Sequence, residues 1–188
     1  MPGSFQPSNA LLAVTAAREL GAGEAALRAG LARAWWPGRF QICRCAQGFL
    51  VLDGAHNPAG ARALAASLRD VFGESRVTFV LGILHDKDAE GIVAALAPLA
   101  ERFVLVASSN PRATAPDTLR AVVPASVRHV EIAASPVEAL ALAARGGASP
   151  IICVAGSLSL IGDVLRHLAG SDRPCSLEKG ADSIGRLF

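Results

Sequence analysis

The sequence predicts an α/β fold: an open, mostly parallel sheet with helices on both faces, preceded by a short helical segment. Three observations predict it. From residue 58 onward, stretches of helical periodicity alternate with short apolar runs. Several of those runs, such as VTFVLGI (77–83) and RFVLVAS (102–108), are apolar almost throughout, as strands are when helices cover both faces of a sheet. The chain has 188 residues, 52% of them hydrophobic, which suffices for one domain with a sizeable core.

The elements follow in order. Residues 8–34 read as two helices, SNALLAVTAARELG ending at Gly21, which suits a C-terminal cap, and then GEAALRAGLARA. Leu11, Leu12, Val14, Leu20, Leu27, Leu31 and Trp35 recur along them at roughly helical spacing. Trp35-Trp36-Pro37-Gly38 breaks the pattern as a linker would. FQICRCAQGFLVLD reads as two short strands with a tight turn at Gln47-Gly48. Helix 58–72, strand 77–83, helix 88–99 and strand 102–108 come next. Helix 116–122, strand 127–132, helix 135–144, strand 150–156 and helix 157–168 complete the series. Such alternation implies right-handed βαβ crossovers. Residues 171–188 lose periodicity and are expected to form a flexible tail.

Composition excludes several classes. No apolar run reaches the ~18 residues of a membrane span, and no signal segment opens the chain. The net charge is +2 with scattered Arg and Lys, which leaves no electrostatic footprint for nucleic acid. Cys43, Cys45, Cys153 and Cys175 match no zinc spacing, and a buried, chemically idle role is expected for all four. A reduced, cytoplasmic protein is the plain reading.

In an open α/β sheet, ligands bind beyond the carboxyl ends of the strands. Four of the five parallel strands end in polar groups: Asp53-Gly54-Ala55-His56-Asn57, His85-Asp86-Lys87-Asp88, Ser108-Ser109-Asn110-Pro111-Arg112 and Gly156-Ser157. Asn57 suits the cap of a helix that Pro58 starts, and such an N-terminus attracts phosphate or carboxylate. His56 would stand beside it. Asp53, placed at an open strand tip, could accept from ribose hydroxyls. Ser157 opens the last helix, and Gly156 permits close backbone approach. Each motif also has a plain structural reading, as a cap, a turn or a solvated loop. Neither Gly-x-Gly-x-x-Gly nor Gly-x-x-x-x-Gly-Lys-Ser/Thr occurs, so neither familiar phosphate loop is present. His85, His129 and His167 read as structural or exposed.

The ordered set Trp36-Pro37-Gly38-Arg39-Phe40, Leu52-Asp53-Gly54-Ala55-His56-Asn57-Pro58, Asp86-Lys87-Asp88, Asn110-Pro111-Arg112-Ala113 and Ala155-Gly156-Ser157-Leu158 resembles the carboxy-terminal, Rossmann-like domain of folylpolyglutamate synthase/dihydrofolate synthase, in the Mur ligase family. Gly3-Ser4-Phe5-Gln6-Pro7-Ser8-Asn9-Ala10 resembles a segment near the end of that family's central domain, with Phe5 in place of the usual His. Ser109 replaces the usual Asp before Asn-Pro-Arg.

The resemblance implies a division into 1–36, a helical remnant of the central ATPase domain; 37–170, the Rossmann-like domain; and the tail. It implies an ATP-dependent ligase that phosphorylates a folate or dihydropteroate carboxylate and joins it to L-glutamate, with Mg2+ assisting. By resemblance, Arg39, Asp53, His56 and Asn57 would meet the nucleotide. Ser157, Lys87, Asp88, Asn110 and Arg112 would line the glutamate side of the cleft. No catalytic residue and no metal ligand is assigned in this chain, since the phosphate loop and the magnesium-handling groups belong to parts of the family that it lacks. It is therefore expected to be inactive alone. The rival readings are a non-catalytic binding or scaffold module of the same fold, or part of another Mur-type amino-acid ligase. The apolar stripe over 8–34 is expected to fold against the sheet domain, to pair with a second chain as a homodimer, or to swap between chains.

Overall fold

The computed structural model of the protein describes residues 3, 5–45, 48–145 and 149–170, with the backbone of 176–177. Two helices, α1 (Gln6–Glu19) and α2 (Glu24–Arg33), precede an antiparallel hairpin, β1 (Gln41–Cys45) and β2 (Gly48–Leu52). Then follow α3 (Pro58–Phe72), β3 (Val77–Leu81), α4 (Ala89–Leu96) with a 3-10 turn at Ala97–Leu99, and β4 (Ala100–Leu105). After these come α5 (Pro116–Ala121), β5 (His129–Ile132), α6 (Pro136–Arg145), β6 (Ile151–Ala155), α7 (Leu158–Ala169) and β7 (Ser176–Leu177).

The sheet order is β5-β4-β3-β6-β2-β1-β7. Strands β2 to β6 are mutually parallel, so all their carboxyl ends lie on one edge, as the sequence predicts. Period-2 alternation splits the core in two. Val51, Phe79, Leu81, Phe103, Leu105 and Cys153 pack with α3, α4 and α5, whereas Leu52, Val80, Val104 and Val154 pack with α6 and α7. Right-handed crossovers account for the sides: β2→β3→β4→β5 runs one way across the sheet, and β5→β6 returns on the other face. The return drops β6 between β2 and β3. Helices from β6 and from its two neighbours therefore leave on opposite faces, which opens a crevice at the strand ends.

At the opposite edge, Arg102 is buried and donates to Leu142 O, Ala143 O, Thr78 Oγ1 and Glu131 Oε1. It caps the last carbonyls of α6 while pairing two strands. Cys43 and Cys153 are buried as expected, but Cys45 is exposed at the end of β1 because the burial of that strand fades there. Cys175 and the Gln47 side of the hairpin turn lie outside the described residues.

Helix α1 ends as predicted: Gly21 has φ 84, its N–H reaches Arg18 O, and Ala22 N–H reaches Ala17 O. Neither α1 nor α2 has a buried residue. Leu11, Leu12 and Leu20 are 68%, 70% and 88% exposed, and among the described residues of this segment only Phe5 packs on the main core. Within the segment expected to be a tail, Ser176–Leu177 pairs with Arg44 and Cys43 of β1, since an edge strand offers unpaired N–H and C=O groups. The rest of 171–188 lies outside the described residues. Among the described residues, no helix is long and apolar enough to cross a membrane.

Candidate functional site

Leu52 ends β2, and Asp53 turns inward. The sequence places Asp53 at an open strand tip; the structure buries it, with 4% of its surface exposed. Its Oδ2 accepts from Phe40 N–H at 2.8 Å and its Oδ1 from Ala55 N–H at 2.8 Å. Burial pushes the carboxyl above its ordinary value, and the two backbone donors, Arg39 and His56 only partly offset that. Each oxygen thus takes one backbone donor within the fold, and each keeps a second lone pair.

Beside it, His56 is half-buried, and its Nδ1 lies 2.8 Å from Gly54 O. A carbonyl only accepts, so Nδ1 carries the proton and Nε2 is the acceptor of the neutral ring. Asn57 caps α3, its side-chain oxygen accepting from Gly60 N–H at 2.7 Å. Arg39 is exposed on the linker that runs back to Asp53. The linker is held by Gly54 N–H donating to Gly38 O at 2.8 Å.

Across the crevice, Ser157 is buried and caps α7, accepting from Leu160 N–H at 3.2 Å. Asp88 caps α4 by accepting from Gly91 N–H at 2.8 Å. Three of the sequence-selected residues, Asn57, Asp88 and Ser157, are thus helix caps. They bring three helix N-termini, each a positive pole, to one edge of the sheet. The plain reading of these motifs and the functional one coincide in position.

The loops after β3 and β4 are stitched together by His85 N–H donating to Arg112 O, by Thr114 N–H donating to Ile83 O and by a bridge between Leu84 and Ala113. Asp86 pairs with Lys87 at 3.0 Å and with Arg112 at 3.6 Å. Its carboxyl is lowered, first by the Lys87 hydrogen bond. Asn110 accepts from Arg112 N–H and donates to Ser159 Oγ at 3.1 Å, which ties this loop to α7. Ser109 adds two bonds to Asp163 of α7. Lys87 and Arg112 therefore meet at Asp86, which the sequence shows only as one member of an acidic loop. Ser108 Oγ, buried in the loop after β4, has no hydrogen-bond partner among the described residues. Neither Ser159 nor Asp163 carries a sequence signal that picks it out from its helix.

A groove of about 930 Å³ lies on the amino-terminal side, between α1 and the linker, lined among others by Phe5, Gln6, Asn9, Leu31, Trp36 and Arg39. It joins the Gln6 and Asn9 amides to the Arg39 guanidinium, although they are far apart in the sequence. Among the described residues, no group of three or more His, Cys, Asp or Glu is placed to hold a metal ion. An exposed guanidinium and the α3 N-terminus make a donor set suited to a phosphate-bearing anion, with the His56 Nε2 acceptor nearby.

Crevice, switch of helix sides and polar strand ends define an α/β ligand-binding domain of the open-sheet type. Residues 38–158 match the family described as Mur ligase, glutamate ligase domain, and the chain belongs to that family. It is 41% identical over 118 residues to the dihydrofolate synthase/folylpolyglutamate synthase of Mycobacterium tuberculosis, covering 59% of this chain and 24% of that protein. To the UDP-N-acetylmuramoyl-L-alanyl-D-glutamate--2,6-diaminopimelate ligase of Corynebacterium glutamicum it is 33% identical, covering 81% of this chain and 30% of the relative. The Mycobacterium tuberculosis folylpolyglutamate synthase crystallised with ADP and AMPPCP superposes with a TM-score of 0.81 at 32% identity, covering 92% of this chain and 42% of that one. These homologues are ATP-dependent ligases, and the chain aligns to their carboxy-terminal portion. It spans roughly a quarter to two fifths of their length.

Proposed function

We propose that this chain supplies the carboxy-terminal part of an ATP-dependent ligase that joins L-glutamate to folate or dihydropteroate. Residues 37–170 form its Rossmann-like domain, and 1–36 are the end of a central ATPase domain. The observation that carries the reading is that Arg39, which lines the groove with Gln6 and Asn9, also lies with His56 around Asp53, just ahead of the α3 N-terminus. That set suits the phosphates of a nucleotide, and a relative of the same fold is crystallised with ADP and AMPPCP.

In the reaction, a carboxylate oxygen of the acceptor takes the γ-phosphoryl group of ATP, and ADP leaves. The glutamate amino group then attacks the acyl phosphate, releasing phosphate and forming an amide. Arg39 offsets charge on the phosphates, and His56 Nε2 offers an acceptor at the incoming amine or a phosphate-bound water. Lys87, Arg112 and Asn110 form the far rim, where the glutamate carboxylates would meet the cationic pair gathered by Asp86. The unpartnered Ser108 hydroxyl lies in the same loop after β4 as Asn110 and Arg112. Magnesium would neutralise phosphate charge when bound, and its ligands are assigned to the rest of the ligase.

The second reading, a cell-wall ligase, is favoured by the Corynebacterium glutamicum relative. The test is an ADP-release assay on the complete ligase containing this chain, with ATP and L-glutamate, offering dihydropteroate, a reduced folate, or a UDP-linked peptide precursor. Turnover with the pterin substrates is expected. Turnover only with the UDP-linked precursor selects the second reading, and nucleotide binding without turnover selects a scaffold.

A further inference from the structure

We propose that Asp53 is a positioning residue: its buried carboxylate ties the linker that carries Arg39 to the β2–α3 turn that carries His56, so that the two side chains are placed as one unit. One oxygen takes the N–H of Phe40, the residue after Arg39. The other takes the N–H of Ala55, the residue before His56. Two more bonds close the same ring of contacts: Gly54 N–H donates to Gly38 O, and His56 Nδ1–H donates to Gly54 O. The two functional side chains are thereby fixed to one backbone knot rather than to two independent loops.

Phe40 shows why a carboxylate is required. Its φ is 45, the one positive value at a non-glycine position among the described residues. A bulky residue adopts that conformation only when its surroundings over-determine it. Two anchors do so: the fully buried ring and the bond from its N–H to Asp53. Gly38, with φ 70, makes the preceding bend and lies so close to Ile161 that an added Cβ would fall 2.5 Å from Cγ2. The linker is therefore clamped from the sheet side by Asp53 and from α7 by packing. An amide in place of the carboxylate would turn an NH2 group toward one of the two backbone donors, and one tie would be lost.

The value of this placement for ligase chemistry rests on the proposed function, whereas the coupling itself does not. The test therefore uses this chain without nucleotide. Charged or titratable groups facing Asp53 are Arg39, His56 and Cys153, and none of them bonds to either amide. In NMR titration of the labelled chain, the Phe40 and Ala55 amide protons are expected to shift together with one midpoint, above 3.8, as Asp53 takes up a proton. In Asp53→Asn, exchange of the amides of residues 38–40 and 54–56 is expected to speed up roughly tenfold or more relative to those of β3 and β4. Tryptophan anisotropy at Trp35 and Trp36 should fall in step. Independent titration of the two amides, or exchange rising evenly through the sheet, overturns the proposal and leaves Asp53 as a general stabilising group. If the variant does not fold, the wild-type titration decides alone. A negative ligase assay leaves these readouts untouched.

Discussion

Gly82 and Gly156 stand against each other at the ends of β3 and β6. A Cβ on Gly156 would fall 2.7 Å from Gly82 O, and one on Gly82 would fall 2.6 Å from Val106 O. Gly156 also has φ 104. The close approach lets β6 end between β2 and β3 and turn at once into α7, with Gly156 N–H donating to Ala55 O. Gly156→Ala therefore combines backbone strain with a backbone clash. It should cost about 2 kcal/mol or more, lowering Tm by roughly 4–8 °C. Gly30→Ala is the opposite case, because nothing lies within 4 Å of its added Cβ inside α2. There the substitution should be neutral or stabilising by up to about 1 kcal/mol. Thermal melts of the two variants check both signs.

Asp53 and His56 separate in a stability assay. Asp53→Ala leaves the buried Phe40 and Ala55 N–H groups unpaired and should destabilise by about 2 kcal/mol or more. His56→Ala loses one half-buried bond and should change stability by less than about 1 kcal/mol.

The same carboxyl sets a pH dependence. Burial raises its folded pKa above the ordinary carboxyl value of 3.8. The folded state therefore takes up a proton before the unfolded state does as pH falls. Stability from this group is fully present below 3.8 and is lost as pH rises through the raised folded value. Asp53→Asn should remove that slope from a denaturation series run across the window, while the opposite contribution of Asp86, whose pKa is lowered, remains.

How legible was this in the sequence? Helix α3 is read as 58–72 and found at Pro58–Phe72, because Asn57-Pro58 at its start and Gly73, with φ 63, at its end are strong local punctuation. Strand β3 is read two residues too long. Ile83 is as buried as a strand residue, but the sheet pairing ends at Leu81 and Gly82 turns its N–H to Ala155 O. The insertion of β6 between β2 and β3 depends on long-range pairing that no local pattern marks. At the site, the polar edge is legible, since each strand end carries its own residues. The burial of Asp53 is not, because its partner is a main-chain N–H from Phe40 on another segment. Main-chain donors leave no trace in side-chain patterns.

The exposed leucines of α1 and its C-cap give a test of self-association. Leu11, Leu12 and Leu20 contribute little to the fold of a single chain, and such a stripe is unfavourable in water. Pairing with a second copy through residues 8–34 would bury it, at about 1.5–3 kcal/mol for each side chain fully covered. Light scattering should then find a dimer at high concentration. Leu11→Lys combined with Leu12→Lys should give a monomer with Tm nearly unchanged, since neither side chain is buried in the single chain. A wild-type chain that stays monomeric at millimolar concentration rejects the pairing.

The last prediction concerns catalysis by this chain alone. Aligning ATP, acceptor and glutamate supplies about 7–11 kcal/mol of such a barrier reduction, and it needs every wall of the cleft. The described residues provide one wall: Arg39, His56 and the α3 N-terminus on one side, and Lys87, Asn110 and Arg112 on the other. They assemble no metal-binding cluster, and the sequence holds neither familiar glycine-rich phosphate loop. The purified 188-residue chain should therefore show no glutamate-dependent ATP hydrolysis above a buffer control. In the complete ligase, Arg39→Ala should lower kcat/KM for ATP by roughly tenfold to a hundredfold, as expected for one charge-assisted contact of about 1.5–3 kcal/mol to a phosphate. Steady turnover by the isolated chain would show that these residues form a whole active site, and the assignment of the missing chemistry to another part of the ligase would fall.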